Sequence, residues 1–475
     1  MGDNPLAMEG EQSSRVRWTG LVAAASGVFL TALDITVNVA LPDITDSFGT
    51  DAVTIQWIII FYVGSSTGMQ LGVGGAADAF GLKRMFLLGL VSYMVAVLAI
   101  GLSDSLALVF GLRVFQAVGN GLLIALGPAI VTSLFPAEFR GRALGIMAAL
   151  GTLGMISGSL GGGALVDALG WRAIFLARVP LCLLAIGFSA FFLRVPGGGP
   201  TDSRFDLLGS VALFVSVGSL ILTLSLGGRN GWTEVYVIAL ALTAVCGFGA
   251  FVVVERRVSN PVMQLSLLKH RLLAPALAVS LLVFVSTFVN WFILPFFVIE
   301  SLGASASVWG LLLMLMTVAN SVSAPVGGWL SDRANPAYTI TASVTVSTLA
   351  MFVMSRLGEG SSVVSVGLGL VMVGVGTGLF QTSSANLIMG SVPPDRLGMG
   401  GGIMGLARGL GTVSSVAIMG AVFAARESTR AELVTPEDAF ILAFRDAYLV
   451  AVALAAVAVL VSFSLWPWVT HRLSR

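Results

Sequence analysis

The stretch "GGAADAFGLKR" at residues 74–84 has a shorter counterpart, "GGWLSDR", at residues 327–333. Both place a pair of glycines before an aspartate and a basic residue, and both follow a long apolar run. A second pair, "GNG" at 119–121 and "GTG" at 376–378, repeats at nearly the same offset along the chain. Two patterns that recur in the same order and at the same spacing indicate a chain built from two related halves.

The composition indicates that these halves lie in a membrane. Of 475 residues, 56% are hydrophobic and 10% are charged, the net charge is +1, and the mean hydropathy is +0.96. Soluble domains carry roughly 25% charged residues, so we expect the chain to fold in a lipid bilayer. The near-zero net charge gives no basis for nucleic-acid binding. Cys182 and Cys246 both lie in apolar runs, so we expect neither a disulfide framework nor a cysteine metal site.

The chain contains fourteen runs long enough to cross a bilayer, which needs about 20 mostly apolar residues. We refer to them as spans 1 to 14, and they cover residues 18–41, 53–76, 83–103, 106–134, 142–165, 172–194, 206–227, 233–254, 273–299, 306–329, 338–357, 362–389, 399–424 and 443–468. The run that begins at Trp18 is too long for a cleaved signal peptide, so it is interpreted as a retained span.

An even number of spans places both termini on the same side of the membrane. Of the 25 lysines and arginines, sixteen lie in the tails and in the loops of that side, and six lie in the opposite loops. The remaining three, Arg113, Arg178 and Arg408, lie within spans. Because basic residues accumulate on the cytoplasmic side, both termini are predicted to be cytoplasmic.

The repeat shifts by eight spans, which predicts six spans, an inserted pair, and six spans that repeat the first set. The predicted fold is an all-α polytopic membrane protein with two six-helix bundles related by a pseudo-twofold repeat. The predicted parts are a cytoplasmic tail 1–17, an N-terminal bundle 18–195, an inserted pair 206–254, a cytoplasmic linker 255–271, a C-terminal bundle 272–468 and a tail 469–475. We expect the inserted pair to lie outside the central path.

Asp34 stands apart from the other acidic residues. Of 24 acids, the other 23 lie in loops, tails or near span ends, whereas Asp34 lies well inside span 1. An unpaired carboxylate at such depth costs about 3 kcal/mol, so we expect Asp34 to face the protein interior or a water-filled cavity. Thr31 and Asn38 fall on the same helical face and predict a polar stripe.

Arg113 is the predicted partner of Asp34. Asp34 lies seven residues before the outer end of span 1, and Arg113 lies seven residues after the outer end of span 4. At 1.5 Å per residue, both lie about 10 Å below the outer boundary. Gln116 and Asn120 share the helical face of Arg113. One interpretation is a fixed ion pair that only joins two spans; the other is a carboxylate that exchanges the arginine for a proton or a cationic ligand.

Six motifs, in order and at matching positions, resemble the major facilitator superfamily, and within it the fourteen-span drug:proton antiporters. They are "LDITVNVALP" (33–42), "GGAADAFGLKR" (74–84), "RVFQAVGNG" (113–121), "GIMAALGTLGMISGSLGGG" (145–163), "GGRNGW" (227–232) and "ERRVSNPVMQLSLLKHR" (255–271). The resemblance implies transport by alternating access between two bundles, driven by the proton gradient and without a bound cofactor.

The resemblance also implies roles for two glycine-rich segments. The loop after span 2 would act as a cytoplasmic gate latch, with a counterpart after span 10; its residues are Gly74, Asp78, Gly81, Lys83, Asp332 and Arg333. Span 5 would present a smooth antiporter-motif face at the interface between the bundles. The residues of that motif are Gly145, Gly154, Gly158, Gly161 and Gly162, with Ser159 where the motif usually has proline. Without that proline, we expect a straighter helix.

The other intramembrane polar residues leave alternatives open. Arg178 either snorkels outward or contacts Asp167, and we expect Arg408 to meet backbone carbonyls or water. Several polar and aromatic residues are candidates for the wall of a central cavity, with packing inside the helix bundle as the equal alternative. These candidates are Trp57, Tyr62, Asn290, Asn320, Gln381, Asn386 and Arg408.

These features favour a proton-coupled exporter of lipophilic, often cationic, compounds in the bacterial inner membrane, predicted to be a monomer. The alternatives are transport of one endogenous metabolite or lipid in either direction, or uncoupled facilitation. An enzyme is not expected, because Asp34 has no second acid and both histidines, His270 and His471, lie in cytoplasmic segments. An ATP-driven pump is not expected either, because no Gly–Lys–Ser/Thr phosphate-binding run occurs.

Overall fold

The protein is helical throughout its described ranges. The computed structural model describes residues 5–70, 80–195, 207–257, 271–333, 335–358, 360–392, 397–431 and 433–466. All regular secondary structure in these ranges is helical, as the composition predicts. Fourteen long helices occur among the described residues, and we number them α1 to α14 in chain order.

The first half contains six of these helices. They are α1 Pro5–Ala32, α2 Trp57–Gln70, α3 Leu82–Gly101, α4 Leu106–Leu134, α5 Ala137–Leu169 and α6 Arg178–Phe192. Short helical pieces lie between them at Leu33–Ile35, Thr36–Val39, Leu41–Phe48, Ala52–Ile55 and Arg172–Leu176.

The middle of the chain forms two helices, α7 Leu207–Asn230 and α8 Val235–Glu255. The second half follows with α9 Leu273–Thr287, α10 Ala306–Arg333, α11 Pro336–Met354, α12 Val363–Gly390, α13 Leu397–Ala431 and α14 Pro436–Ser462. Short pieces follow α9 and α14, at Phe288–Trp291, Leu294–Phe296, Phe297–Ser301 and Phe463–Leu465.

Fewer helices meet the criteria for a membrane span than the fourteen expected. Twelve helices in the described ranges are long and apolar enough to cross a bilayer. A thirteenth counts only if Leu41–Ser47 and Ala52–Gly68, which meet at 117°, form one bent span. α7 is one continuous helix over Leu207–Asn230, within which the described apolar stretch is Val211–Leu220. The chain is a multi-pass membrane protein, and its described ranges contain twelve to thirteen candidate spans by length and composition.

The two halves meet along two helix pairs. α5 packs against α10, and α2 packs against α13. The middle helices α7 and α8 pack against each other, and α7 also contacts α2 and α13. The first half and the second half are thus in direct contact, with α7 beside one of the two seams.

The first helix of each half is interrupted at a corresponding position. α1 gives way to a 3₁₀ turn at Leu33–Ile35, and α9 gives way to a 3₁₀ turn at Phe288–Trp291. The two turns are separated by nearly the same offset as the repeated sequence motifs. Tightened turns inside a helix often mark functional positions. These breaks therefore make Asp34 and the residues opposite it candidates for the functional site.

Candidate functional site

Asp34 lies in the 3₁₀ turn that interrupts the first helix. Its side chain is buried, with 8% of its surface exposed. One carboxylate oxygen, Oδ2, accepts a hydrogen bond from the hydroxyl of Tyr62 on α2. The other, Oδ1, accepts from Gln116 Nε2 on α4 at 2.9 Å. A buried carboxylate needs such donors, because burial without partners would favour its neutral form.

Arg113 lies close to Asp34, as expected from their matching positions along spans 4 and 1. Its Nη1 is 3.7 Å from Asp34 Oδ1 and donates to Gln116 Oε1 at 2.7 Å, so Gln116 bridges the arginine and the carboxylate. Arg113 Nε also donates to the Ile58 carbonyl at 3.3 Å, and its guanidinium lies 4.1 Å from the centre of the Tyr62 ring. The guanidinium is therefore held largely by neutral groups beside the acid.

Arg178, at the start of α6, makes the closer ion pair with Asp34. Its Nη1 contacts Asp34 Oδ1, and its Nη2 donates to the Leu33 carbonyl at 2.9 Å and to Thr36 Oγ1. Only 2% of its side chain is exposed. The expectation that Arg178 snorkels outward or contacts Asp167 was therefore wrong, because the nearest carboxylate is buried beside it.

Sequence reasoning missed Arg178 as a member of this site, although a signal was present. Span 6 begins at the outer boundary, and Arg178 lies about as far into it as Arg113 lies into span 4. The depth argument that pairs Asp34 with Arg113 applies equally to Arg178. All three side chains meet in one cluster, which contains one acid and two arginines and carries a net positive charge.

A cavity of about 280 Å³ adjoins this cluster. Asp34, Tyr62, Arg113 and other residues of the first half line one wall, and Phe288 and Trp291 of the second half line the other. The cavity therefore lies between the halves at the level of both 3₁₀ turns. Its wall is mainly apolar, with a few polar groups on one side, which suits a lipophilic ligand.

The two predicted polar stripes reach different neighbours. Asn38 lines the cavity, and its backbone carbonyl accepts a hydrogen bond from Trp309 Nε1 of α10 at 3.3 Å. Asn120 is buried and donates to Ser66 Oγ of α2 at 2.8 Å. Asn38 thus connects the Asp34 segment to the second half, whereas Asn120 joins two helices of the first half.

The glycines of α5 face two directions. A Cβ at Gly154, Gly158 or Gly162 would meet α1 or the segment after it within 3 Å. A Cβ at Gly163 would meet Ala306 of α10, and one at Gly310 of α10 would meet the Ser159 carbonyl. The interpretation that places the Gly154–Gly158–Gly162 face between the bundles therefore needs correction.

That glycine face packs within the first half because α1 follows the same side of α5. The contact between halves is made by Ser159 and Gly163, one position further along the helix. α5 continues unbroken through Ser159. The Ser159 hydroxyl donates to the Met155 carbonyl at 2.9 Å. Nothing lies within 4 Å of a Cβ built at Gly145 or Gly161.

An acidic cap reinforces the contact between the halves. Asp167, near the end of α5, accepts hydrogen bonds from the backbone N–H groups of Ala306 and Ser307, at 3.0 and 2.9 Å. These groups belong to the first turn of α10, where unpaired donors and the helix dipole favour a carboxylate. Asp167 therefore fastens the two halves at the end of α5 that the sequence assigns to the outside.

The candidate gate loop is only partly visible. Gly74 and Asp78 lie outside the described residues, so the latch remains a prediction. Gly81 precedes α3 with a φ of 90°, a conformation that favours glycine. Lys83 Nζ donates to the Ala190 carbonyl near the end of α6, at 2.8 Å. In the second half, Asp332 accepts from Asn386 Nδ2 at 2.9 Å, and the Arg333 guanidinium lies 4.4 Å from the Trp329 ring centre.

The candidate cavity residues of the second half separate into two groups. Asn290 is fully buried and accepts from the Tyr448 hydroxyl at 2.8 Å, and Asn320 donates to Thr377 Oγ1 at 2.9 Å. Both therefore join helices within that half. Gln381 and Arg408 line a separate cavity of about 100 Å³. Trp57 is buried against Phe61, with ring centres 5.3 Å apart, and does not line the Asp34 cavity.

Sequence comparison identifies relatives over most of the chain. The family model described as Major Facilitator Superfamily matches residues 24–416. Multidrug resistance protein Stp of Mycobacterium tuberculosis (strain CDC 1551 / Oshkosh) is 33% identical over 418 residues, covering 87% of this chain and 77% of the relative. Riboflavin transporter RibZ of Clostridioides difficile (strain 630) is 27% identical over 447 residues, covering 94% and 97%.

Structure comparison agrees at the level of the fold. The crystal structure of the POT family transporter PepTSo superposes with a TM-score of 0.68 at 13% sequence identity. The match covers 94% of this chain and 97% of the other. The match supports the all-helical fold and says nothing about the substrate.

Proposed function

Because the chain belongs to the Major Facilitator Superfamily, a family of transporters rather than enzymes, we propose that it exports lipophilic small compounds in exchange for protons. The observation that carries this proposal is the buried Asp34 carboxylate at the wall of the cavity between the halves. A carboxylate in that position can take up a proton from one side of the membrane and release it to the other. The multidrug-resistance relative supports the substrate class.

The contacts of Asp34 support a mechanism in which its protonation allows the segment after α1 to move. Its carboxylate joins residues of α2, α4 and α6 to the segment after α1. Protonation removes the negative charge that holds two arginines, which weakens all of these ties together. The same segment carries Thr36, against which Gly162 packs, and Asn38, which contacts Trp309 of α10. A shift of this segment would therefore reach the contact between the halves.

The arrangement favours neutral lipophilic compounds as substrates over the cationic compounds that the sequence also suggested. Two arginines surround Asp34, so a cationic compound would have to displace one of them to reach the acid. Export of a single endogenous metabolite is the second candidate. It is supported by the riboflavin transporter, which aligns over nearly the full length of both chains.

The proposal includes an arrangement in the membrane. We infer fourteen spans, with two six-helix halves, a peripheral pair α7 and α8, and both termini in the cytoplasm of the bacterial cell. The excess of basic residues on one side of the sequence supports this orientation. None of the described side chains of α7 and α8 lines either of these two cavities, which supports a peripheral place for the pair. A single chain contains both halves of the cavity, which is consistent with a functional monomer.

The test is transport driven by an imposed pH gradient in liposomes. A panel of toxic compounds, applied to cells that express the wild type, first identifies a substrate. Asp34→Asn should then abolish uphill transport, because it removes the titratable group and leaves Arg113 and Arg178 without a counter-charge. Asp34→Glu should retain part of the activity.

The matched control is Asp104→Asn, since the Asp104 side chain is 91% exposed and pairs with Arg172 at the surface. It should transport like the wild type. If Asp34→Asn still concentrates the substrate at the wild-type rate, Asp34 is not the coupling residue and the proposal fails.

A further inference from the structure

Arg408 on α13 faces a cavity without a partner of its own. The side chain is exposed to a space of about 100 Å³ between α9, α12 and α13. Within the ranges that the structure describes, neither a hydrogen bond nor an ion pair engages its guanidinium. Arginine stays charged and presents five N–H donors, and an intramembrane arginine normally finds an acid or a carbonyl. Its donors are thus free to bind an incoming group.

The walls of this cavity combine aromatic and polar surfaces. Phe284 supplies a half-buried ring in front of the buried Phe380, Met404 adds a thioether, and Gln381 adds an exposed amide. Ser280 and Ser384 also line the space, but they are hydrogen-bonded to each other at 3.0 Å. A ligand with an aromatic body and a charged group would satisfy both kinds of surface, since planar groups pack on aromatic rings.

The charge balance decides the sign of that group. Among the described residues at the two cavities, the charged side chains are Asp34, Arg113, Arg178 and Arg408. One acid is already engaged by two arginines, so the sum of these charges is positive. In a low-dielectric wall such an excess attracts anions and repels cations.

We propose that Arg408 binds an oxyanion, a carboxylate or a phosphate-like group, carried by an aromatic amphipathic compound that this transporter moves. The ring system would pack on Phe284, and the guanidinium would form a forked, charge-assisted pair with the oxyanion. This inference rests on the proposed transport of small compounds by this protein. The same oxyanion chemistry could come from a soluble compound or from a lipid headgroup.

The test measures binding to the purified full-length protein in nanodiscs of phosphatidylcholine. The probes are 2-naphthoate and its neutral isostere 2-naphthamide, titrated by calorimetry. The wild type should prefer the naphthoate. Arg408→Gln should weaken naphthoate binding by at least about tenfold, as expected for loss of a charged partner, and leave naphthamide binding unchanged. Arg408→Lys should retain part of the preference.

The matched control is Arg356→Gln, which removes an exposed arginine that lies on the Phe352 ring, 4.8 Å from its centre. It should bind both probes like the wild type. A second measurement needs no variant: naphthoate should protect Arg408 from modification by phenylglyoxal, as read by mass spectrometry. Equal affinity of the wild type for the two probes, or equal loss of both in Arg408→Gln, overturns the inference.

Nanodiscs that contain phosphatidylglycerol distinguish the two sources of the oxyanion. If this lipid protects Arg408 and displaces naphthoate, the site takes a lipid headgroup; if only naphthoate protects it, the site takes a soluble compound. Binding is measured without a proton gradient, so the result is independent of coupling. Anion-selective binding in a protein whose Asp34→Asn variant still transports uphill would leave this inference standing while the proposed coupling fails.

Discussion

At the scale of the residue, the two arginines of the Asp34 cluster make different contacts with the carboxylate. Arg178 contacts the carboxylate directly and also holds the backbone of the same turn through the Leu33 carbonyl. Arg113 lies 3.7 Å away and interacts mainly through Gln116 and the Tyr62 ring. Arg178 is therefore positioned to respond to a change of charge on Asp34, and Arg113 to stabilise the neighbouring donors.

This difference predicts that Arg178→Gln restores part of the stability lost in Asp34→Asn. Asp34→Asn alone leaves two like charges buried together and should destabilise the protein by about 3 kcal/mol. Adding Arg178→Gln removes one of those charges, so the double variant should regain at least about 1 kcal/mol relative to Asp34→Asn. Equilibrium unfolding in mixed micelles measures both values.

The control for the rescue is Asp34→Asn combined with Arg172→Gln. Arg172 pairs with the exposed Asp104 at 2.8 Å, away from the buried cluster. This second double variant should be no more stable than Asp34→Asn alone. A double variant with Arg178→Gln that is less stable than Asp34→Asn would show that Arg178 acts through its backbone contacts and not through charge.

At the scale of the element, α5 connects the site to the contact between the halves. One face, with Gly154, Gly158 and Gly162, packs against α1 and the Asp34 segment. The adjacent face, with Ser159 and Gly163, packs against α10. Small residues let helices approach closely in lipid, so a single helix touches both the Asp34 segment and the second half.

The α5–α10 contact predicts a difference between two glycines that lie two positions apart. A Cβ at Gly163 would come within 2.5 Å of the Ala306 carbonyl oxygen, a backbone atom that cannot rotate away. Gly163→Val should therefore separate α5 from α10, open that end of the cavity and lower transport severely. Gly161→Val, on the same helix, adds equal bulk where nothing lies within 4 Å.

The measurement is labelling of Asn38→Cys by a membrane-impermeant maleimide, after Cys182 and Cys246 are replaced by alanine. Asn38 lines the cavity beside Asp34. Gly163→Val should raise the rate of labelling from outside, and Gly161→Val should leave the rate and the transport unchanged. Equal rates in both variants would mean that this contact does not close the outer side.

At the scale of the whole molecule, the sequence predicted the architecture better than the faces of its helices. Hydropathy and the repeated glycine–aspartate motifs predicted two related halves of six helices. The depth of Asp34 and Arg113 predicted their proximity, because depth follows from counting residues along a helix. The direction of a helical face depends on neighbours that counting does not place. That is why the packing of Gly158 against the Leu33–Ile35 turn was not predicted. The pairing of Arg178 with Asp34 follows from the same depth count as that of Arg113, which was applied to Arg113 alone.

The same reasoning applies to the number of spans. Runs of apolar residues are counted directly in the sequence, but two helices that meet at a sharp bend do not form one straight span. α2 is preceded by a bend of 117°, whereas α7 is one continuous helix over Leu207–Asn230. Both helices lie at the same seam, where α7 contacts α2 and α13.

From this position of α7 we expect that a packing variant of the helix lowers the stability of the protein and leaves its substrate selectivity unchanged. Phe214 of α7 lies against Gly68 of α2, where a Cβ on the glycine would meet the Phe214 ring at 2.7 Å. Phe214→Ala removes this packing and should cost about 3 kcal/mol, seen as a lower melting temperature. Because α7 lines neither described cavity, the ratio of transport rates for two different substrates should not change. Leu220→Ala, on the same helix but 43% exposed, should alter neither quantity. A changed rate ratio in Phe214→Ala at matched expression would place α7 on the transport path and refute the peripheral role of the middle pair.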